Sequence, residues 1–431
     1  MHQAAIRPLR YASSAAIDSY AFLDHQINAS SGTSCGFGSL VTEEPFRLET
    51  CQWDEAAVRY HRVRAFQEIT LSLFNASLRG AFDPAVATLV INELPPHLGV
   101  DYYKALTPRQ HSLPAFFRTD EVGQGKICEI QSPGSLWGVH EQLYNLYAGG
   151  SPFFATRSPY ARYRLSEQFA RHLRSYLAAE PLVHHYMDGS TNPSGMRFFI
   201  QQTRAQGIRY YGYDRGLAPH DCNFIRHPIY ATHWCDKHVE DRMARCDAGT
   251  LRYDLPPSVL FSQKIPMIFP FWDKTKAFYS DDIRTLFPYT QLITPEGIVM
   301  EDGAIVSIDQ FCQRPRSQRA YYIKYASSDL TLCSRGKGVF YAKTFSREKM
   351  RAFFDRILQG YPQKKYWVLQ TAHVPKNTTT YLTRDNARKE TPVHAKMSSF
   401  YGPDGLMGML LMQHPFYKVH GSQETIATVV I

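Results

Sequence analysis

The chain has 431 residues, 44% of them hydrophobic, and a formal net charge of +9. A chain of this size and composition can bury a large core, and we expect two or three subdomains. Because it has no apolar run of membrane length, no signal-peptide pattern and no disulfide-scaffold spacing among its eight cysteines, we expect a cytoplasmic protein with reduced thiols and no membrane contact.

The N-terminal portion, which we place at residues 1–109, begins with a loop-like stretch rich in Ser, Gly and Ala. From Asp54 to Arg79, apolar side chains recur at helical spacing and predict a long helix whose apolar stripe packs in the core. The short apolar run Ala87–Ile91 predicts a buried strand.

The segment between Phe117 and Gln131 predicts a β-hairpin, because polar and apolar side chains alternate and glycines stand at its centre. Arg118 and Asp120 share a face of the first strand, and Glu129 shares a face of the second with Gln131. Carboxylate and amide oxygens suit magnesium, and a guanidinium beside them suits a phosphate. A solvent-facing hairpin of mixed charge is the alternative that so short a motif leaves open.

The rest of the middle portion, residues 110–255, predicts alternating helices and strands. Ser135–Tyr147 and Ser158–Ala179 are expected to be helices. Met196–Gln201 and Ile208–Tyr213 alternate with loops, which indicates an α/β layer that carries an acid or acceptor substrate.

The C-terminal portion, residues 256–431, contains a buried strand at Ala320–Lys324 that ends in a lysine. A Gly-rich loop follows at Ser334–Val339, where backbone N–H groups can approach phosphate oxygens without obstruction by Cβ atoms. The loop is not of the Walker type, because no G-x-x-x-x-G-K-[ST] pattern occurs. Ser346–Leu358 predicts an amphipathic helix. Tyr366–Gln370 predicts an apolar strand whose exposed backbone can hydrogen-bond a nucleotide base.

The C-terminal portion contains, in this order, the lysine strand, the glycine loop, the helix and the apolar strand that ends in glutamine. This order resembles the nucleotide-binding half of ATP-grasp ligases. In most of that superfamily the metal-binding Glu-x-Asn follows the lysine strand. Here Arg118-x-Asp120 and Glu129-x-Gln131 precede that strand. The chain therefore resembles the circularly permuted ATP-grasp group typified by the glutathionylspermidine synthetase family.

Three further segments resemble parts of that family. Phe261–Ile268 is similar to its lysine segment before an apolar helix, Asn223–Arg226 to its strand ending in an arginine, and Glu424–Val430 to its closing strand. The resemblance covers about residues 110–431. It implies an α/β (α+β) ATP-grasp fold with mixed or antiparallel sheets, circularly permuted, in which the nucleotide lies between two subdomains.

The resemblance also implies an activity and a role for each matching residue. The expected reaction is ATP-dependent joining of a small-molecule carboxylate to an amine through an acylphosphate, with release of ADP. Asp120, Glu129 and Gln131 are expected to hold Mg²⁺, and Arg118 to be the catalytic residue that binds the transferred phosphoryl group. The expected ATP ligands are three lysines, the glycine loop and the base-carrying strand: Lys264, Lys324, Lys396, Ser334, Arg335, Gly336, Gly338, Leu369 and Gln370.

Alternatives stay open at this point. The acceptor can be the thiol of an acidic carrier protein, which would suit the basic charge. Gln131 stands where the family usually has Asn, so a non-catalytic homologue that binds only a nucleotide or a partner is a second alternative. The Lys and Arg residues are dispersed and match no nucleic-acid-binding motif, so no nucleic acid is expected, and a basic nucleic-acid-binding module is the third alternative. The pattern gives no oligomeric state.

Overall fold

The computed structural model describes residues 40–42, 45–46, 48–91, 113–123, 125–131, 136–148, 164–185, 193–212, 221–226, 239–254, 259–326, 338–359, 361, 366–373, 376–382, 388–419 and 425–430. The strands there, in chain order, are β1 (Leu40–Val41), β2 (Phe117–Val122), β3 (Lys126–Gln131), β4 (Leu182–His185), β5 (Arg209–Tyr211), β6 (Phe224–Arg226), β7 (Arg252–Tyr253), β8 (Thr290–Leu292), β9 (Ile298–Val299), β10 (Ile305–Val306), β11 (Tyr321–Tyr325), β12 (Val339–Tyr341), β13 (Trp367–Thr371), β14 (Lys376–Leu382), β15 (Arg388–Gly402), β16 (Gly405–His414) and β17 (Ile426–Val429). The α-helices there are α1 (Thr50–Leu78), α2 (Pro84–Ile91), α3 (Trp137–Ala148), α4 (Leu165–Tyr176), α5 (Pro193–Ala205), α6 (Val239–Asp247), α7 (Asp281–Arg284), α8 (Ile308–Gln313) and α9 (Arg347–Leu358).

The largest sheet has seven strands in the order β14-β1-β17-β16-β15-β2-β3. It is covered on both faces, and side chains of β16 alternate between them. Met409 and Leu411 pack in the same cluster as Ala56 of α1, whereas Leu410 and Met412 pack in a cluster with helices α3 and α4. Burial on both faces explains why β16 is apolar along nearly its whole length.

A second sheet is wholly parallel, with strand order β5-β4-β6-β7. Its aromatic-rich packing includes Trp137 of α3, Phe169 of α4 and Phe199 of α5. The helix α5 connects β4 to β5, as a parallel pair of strands requires. The predicted α/β layer is therefore confirmed.

A third sheet is antiparallel, in the order β12-β11-β13-β8. Ile323 and Leu369 of this sheet pack with Phe311 of α8 and Phe354 of α9 in one cluster. Helix α9 begins where predicted, because the Ser346 hydroxyl caps it by accepting the Lys349 N–H at 3.2 Å. A small two-stranded sheet of β9 and β10 completes the strands of the described residues, and the four sheets with their helices make a mixed α+β protein.

Several predicted elements are confirmed to within a few residues, namely the hairpin, the long N-terminal helix, the lysine strand and the closing strand. The predicted strand at Ala87–Ile91 is wrong, because this run belongs to α2. An apolar run of this length does not distinguish strand from helix. The signal that decides it is Pro84 in the first turn after Asp83, whose Oδ1 accepts the Ala85 N–H at 2.8 Å.

The division into portions at 109/110 and 255/256 stays a prediction. The seven-stranded sheet takes strands from all three portions: β1 from the first, β2 and β3 from the second, and β14 to β17 from the third. Among the residues that the structure describes, no helix is both long enough and apolar enough to span a bilayer.

Candidate active site

The hairpin β2–β3 brings four polar side chains onto one face, as the alternation predicts. In its register Asp120 lies opposite Glu129, and Arg118 lies opposite Gln131. Arg118 is only 2% exposed. Its Nε donates to Asp120 Oδ1 at 2.8 Å, and its Nη2 donates to Asp120 Oδ2 at 3.2 Å and to Gln131 Oε1 at 2.6 Å. The guanidinium is therefore held in one orientation by residues of its own hairpin.

The neighbouring strand β15 supplies two further partners of Asp120. Ser398 lies opposite Asp120 in the β15–β2 register, and its hydroxyl donates to Asp120 Oδ1 at 2.8 Å. Lys396, two residues earlier on the same face, donates from Nζ to Oδ2 at 2.6 Å. Burial by itself raises the pKa of the Asp120 carboxyl, but Arg118 and Lys396 outweigh it and hold that pKa well below its usual range.

Glu129 is paired with a lysine from a distant segment. Lys264 lies between two short 3₁₀ turns, and its backbone N–H donates to Ala326 O at 2.6 Å, just after the end of β11. Its Nζ lies 2.8 Å from Glu129 Oε1. Burial favours the neutral acid, yet Lys264 and then Lys324 lower the pKa of Glu129 below its ordinary value.

A β-bulge brings Lys324 into the same cluster. The β2–β3 register shifts between Asp120 and Glu121, so that Glu121 lies opposite Ile127 and Cys128 is the extra residue. The Cys128 carbonyl accepts a hydrogen bond from Lys324 Nζ at 3.0 Å. Burial lowers the pKa of Lys324 from its ordinary value, although nearby Glu129 opposes the shift.

The charges at this face do not balance. The face carries two carboxylates, Asp120 and Glu129, and four basic side chains, which are Arg118, Lys264, Lys324 and Lys396. An excess of buried or half-buried positive charge suits a polyanion such as the phosphates of a nucleotide. We use the name cationic face for these six residues together with Gln131.

The donor set also fits a magnesium ion. Asp120, Glu129 and Gln131 offer hard oxygen atoms, which Mg²⁺ prefers, but each of those side chains is bonded to a cation of the site. In the described segments no group of three or more His, Cys, Asp or Glu side chains is arranged to hold a metal. A metal at this face therefore depends on oxygen atoms beyond the two carboxylates, such as an amide or a phosphate.

The remaining predicted ATP ligands are placed as follows. Ser334, Arg335 and Gly336 lie outside the described residues. Gly338 stands just before β12, and its carbonyl accepts the Tyr325 N–H at 2.7 Å.

The expectation of an exposed backbone at Leu369 and Gln370 is wrong. Strand β13 is internal to its sheet, where Leu369 lies opposite Ile323 on one side and opposite Gln291 on the other. Both neighbours of the strand engage its backbone, so a base cannot pair with it there. The Gln370 side chain donates to Thr290 Oγ1 at 3.0 Å. Any role of these two residues toward a base stays a prediction.

Sequence reasoning missed Ser398 and the Cys128 carbonyl. The sequence contains a signal for Ser398, because residues two apart on a strand share a face and Ser398 follows Lys396 by two positions. No sequence signal indicates the role of the Cys128 carbonyl, because its position depends on a bulge and a bulge is set by how two strands pair.

A second buried cation lies at the carboxyl end of the parallel sheet. Arg226 ends β6, and its guanidinium lies 4.1 Å from the Trp137 ring centroid and 3.4 Å from Asp254. His185 lies opposite it at the end of β4. Ligands of α/β sheets bind at this edge.

Comparison with known proteins bears on the fold. No protein-family model matches the sequence, and no curated protein matches it. Among solved structures, a glutathione synthetase-like effector from Globodera pallida in its apo form matches 99% of this chain and 99% of its own, with a TM-score of 0.55 at 10% sequence identity. This chain shares that fold. At such low identity the match shows the fold alone.

A second solved structure, a candidate gamma-glutamylcysteine synthetase from Methylobacillus flagellatus, covers 83% of this chain and 84% of its own at 11% identity. Its TM-score is 0.38, which is too low to support an argument. Neither structure is described as a glutathionylspermidine synthetase, so the resemblance to that family in particular stays a prediction.

Proposed function

We propose that this protein is an ATP-dependent carboxylate–amine ligase with a circularly permuted ATP-grasp fold. The observation that carries the proposal is the cationic face, where side chains from the hairpin, the 3₁₀ segment, β11 and β15 converge on two carboxylates. A synthetase-like fold around that face supports it. The permutation is supported by the chain order, because the hairpin precedes the lysine strand β11.

The proposed reaction begins when a substrate carboxylate oxygen attacks the γ-phosphorus of ATP, which forms an acylphosphate and releases ADP. An amine nitrogen then attacks the acyl carbon and expels phosphate, and the nitrogen loses a proton. Phosphoryl transfer of this kind needs positioning and charge neutralisation more than covalent help from the protein.

The cationic face can meet these needs. Lys264 and Lys324 would neutralise the α- and β-phosphates, and Lys396 would face the phosphates from β15. Arg118, already oriented by Asp120, would bind the transferred phosphoryl group. The predicted loop Ser334–Val339, whose residues 334–337 lie outside the described structure, would close over the γ-phosphate and exclude the water that hydrolyses an acylphosphate.

Asp120, Glu129 and Gln131 would hold Mg²⁺, which when bound would neutralise phosphate charge. We place the acid or amine substrate at the carboxyl edge of the parallel sheet, where ligands of α/β sheets bind and where Arg226 and Asp254 form a buried ion pair. The proposed partners are therefore small molecules, with neither nucleic acid nor membrane, although a carrier-protein thiol can replace the amine as acceptor.

A second candidate function is nucleotide binding without catalysis. The Gln131 carbonyl oxygen accepts a hydrogen bond from Arg118 Nη2 and is therefore not available to a metal. The Glu129 carboxylate is paired with Lys264. Both contacts must open before a metal can bind between these side chains. A homologue in which they stay closed would bind a nucleotide and transfer nothing.

Thermal unfolding with Mg-ATP, Mg-ADP and magnesium alone tests nucleotide binding. A ligand at 100 times its dissociation constant adds about 2.7 kcal/mol to the free energy of unfolding. We expect this gain with both nucleotides, and its loss in Glu129→Ala and Lys324→Ala. Lys274→Ala is the matched control, because Lys274 forms an exposed ion pair with Asp83 at 2.7 Å.

Absence of any shift at saturating nucleotide would remove both candidate functions. If the nucleotides stabilise the protein, a screen that measures ADP release in the presence of small acids and amines distinguishes the two candidate functions. Release that requires both an acid and an amine supports the ligase. Stabilisation with no release across the screen supports the non-catalytic alternative.

A further inference from the structure

A second cluster of positive charge lies at the corner where β11 begins, apart from the cationic face. Arg319 precedes that strand and is 2% exposed. Its Nη2 donates to Phe345 O at 3.1 Å. Its Nε and Nη1 are buried and have no hydrogen-bond partner in the described structure. Buried donors are rarely left unpaired, so these two nitrogens call for an explanation.

Among the described residues, the groups that act electrostatically on Arg319 are Arg316, Cys312 and Arg347, and none of them is a carboxylate. Burial lowers the pKa of its guanidinium, and the positive charges of Arg316 and Arg347 lower it further, although nearby Cys312 opposes the shift. Neighbouring like charges cost free energy unless an anion lies among them. Arg316 and Arg347 are both exposed, so the corner is open to ions from solution on its outer side.

The acidic residues near this corner in the sequence are engaged elsewhere. Glu348 interacts with its own backbone N–H and with Ser346. Asp309 and Asp355 both pair with Arg351. None of these carboxylates acts on Arg319.

A purely structural role in holding two turns together does not explain the two nitrogens of Arg319 that have no partner among the described residues. Through Phe345, Arg319 links the 3₁₀ turn Arg316–Gln318 to the turn Ala342–Thr344. One hydrogen bond from Nη2 suffices for that link. It leaves the other two nitrogens unused, and a guanidinium with several free donors is suited to the oxygens of phosphate.

We propose that Arg316, Arg319 and Arg347 form a binding site for a free tetrahedral oxyanion, inorganic phosphate, which we name the arginine corner. The turn that precedes Arg319 is exposed over its whole length, and the proposal requires this turn to move so that the anion reaches the buried Nε and Nη1. The bound anion ties the start of β11, the strand that carries Lys324, to the start of α9. The proposal does not depend on the ligase reaction.

Equilibrium dialysis with radiolabelled inorganic phosphate at constant ionic strength tests the arginine corner. We expect Arg316→Gln, Arg347→Gln and Arg319→Lys each to lose one bound phosphate per chain, or to bind it at least tenfold more weakly. Lys349→Gln is the matched control, because Lys349 is an exposed cation of the same helix turn that does not act on Arg319. Phosphate held at the cationic face is the same in all four variants and cancels in the comparison.

Equal phosphate binding in wild type, Arg316→Gln and Arg347→Gln would overturn the proposal, and both substitutions are at exposed positions where the fold is retained. A phosphoserine peptide is the second ligand. If it binds the corner at a tenfold lower concentration than inorganic phosphate does, the occupant is a phosphorylated chain and the free-anion proposal is wrong. Nucleotide stabilisation is measured separately, so failure here leaves the ligase proposal to its own test.

Discussion

Replacing Lys264 by methionine should strengthen metal binding and weaken nucleotide binding in the same variant. Lys264 holds Glu129 through a contact of 2.8 Å, so a metal ion must displace the lysine before it can use that carboxylate. Methionine has a similar length and no charge, and the backbone hydrogen bond from residue 264 to Ala326 is kept. The change therefore frees Glu129 without removing a structural contact of the main chain.

The size of the effect follows from the geometry of the pair. Opposite unit charges about 4 Å apart in an effective dielectric of about 20 attract each other by about 4 kcal/mol. At about 1.4 kcal/mol for each factor of ten, this is at most about a thousandfold in a dissociation constant. The released lysine regains hydration in the wild type, so we expect a gain between about tenfold and about a thousandfold.

Titration with Mn²⁺ in the absence of nucleotide, followed by the electron paramagnetic resonance signal of the free ion, measures this gain. Lys274→Met is the control, because its ion pair with Asp83 is at the surface. ATP affinity, measured by calorimetry, should fall in Lys264→Met and stay unchanged in Lys274→Met. Tight Mn²⁺ binding by the wild type without nucleotide, or unchanged binding in Lys264→Met, would refute the reasoning.

Other predictions concern stability. Asp120→Asn should lower the free energy of unfolding by about 3–5 kcal/mol, because it leaves buried cations unpaired. Ser398→Ala, which removes one hydrogen bond, should cost about 1 kcal/mol, and equal losses in thermal unfolding would contradict this order. Burial lowers the pKa of His140 to about 3 and that of His172 to about 4, so the unfolded chain binds more protons below pH about 6.5. The free energy of unfolding should therefore fall by about 2 kcal/mol for each histidine between pH 7 and pH 5. In His140→Phe, the decrease over this pH range should be smaller by about 2 kcal/mol.

The hairpin could be predicted from sequence because its pattern is local. Alternation over a few residues fixes which side chains share a face, and the register then places Asp120 beside Glu129. The lysine strand was predicted for the same reason.

What sequence could not give is how distant segments pair. Nothing in the apolar run around Leu369 shows that the short strand β8 lies beside it, so the sequence pattern by itself predicts a free edge. The contact between Lys264 and Glu129 joins segments that no local pattern relates. The excess of positive charge at the cationic face became visible only from these non-local contacts.

The order of strands in the seven-stranded sheet has a consequence for biosynthesis. During synthesis Asp120 cannot form its ion pair with Lys396 until a further 276 residues have been added to the chain. At a translation rate of about 5–20 residues per second this delay is roughly 15–55 s. Until β15 emerges from the ribosome, the edge of β2 that will pair with it is open to other chains. A nascent chain therefore carries the first strand of the β2–β3 hairpin with an unprotected edge for roughly 15–55 s, and a chaperone that shields this edge would raise the yield of folded protein.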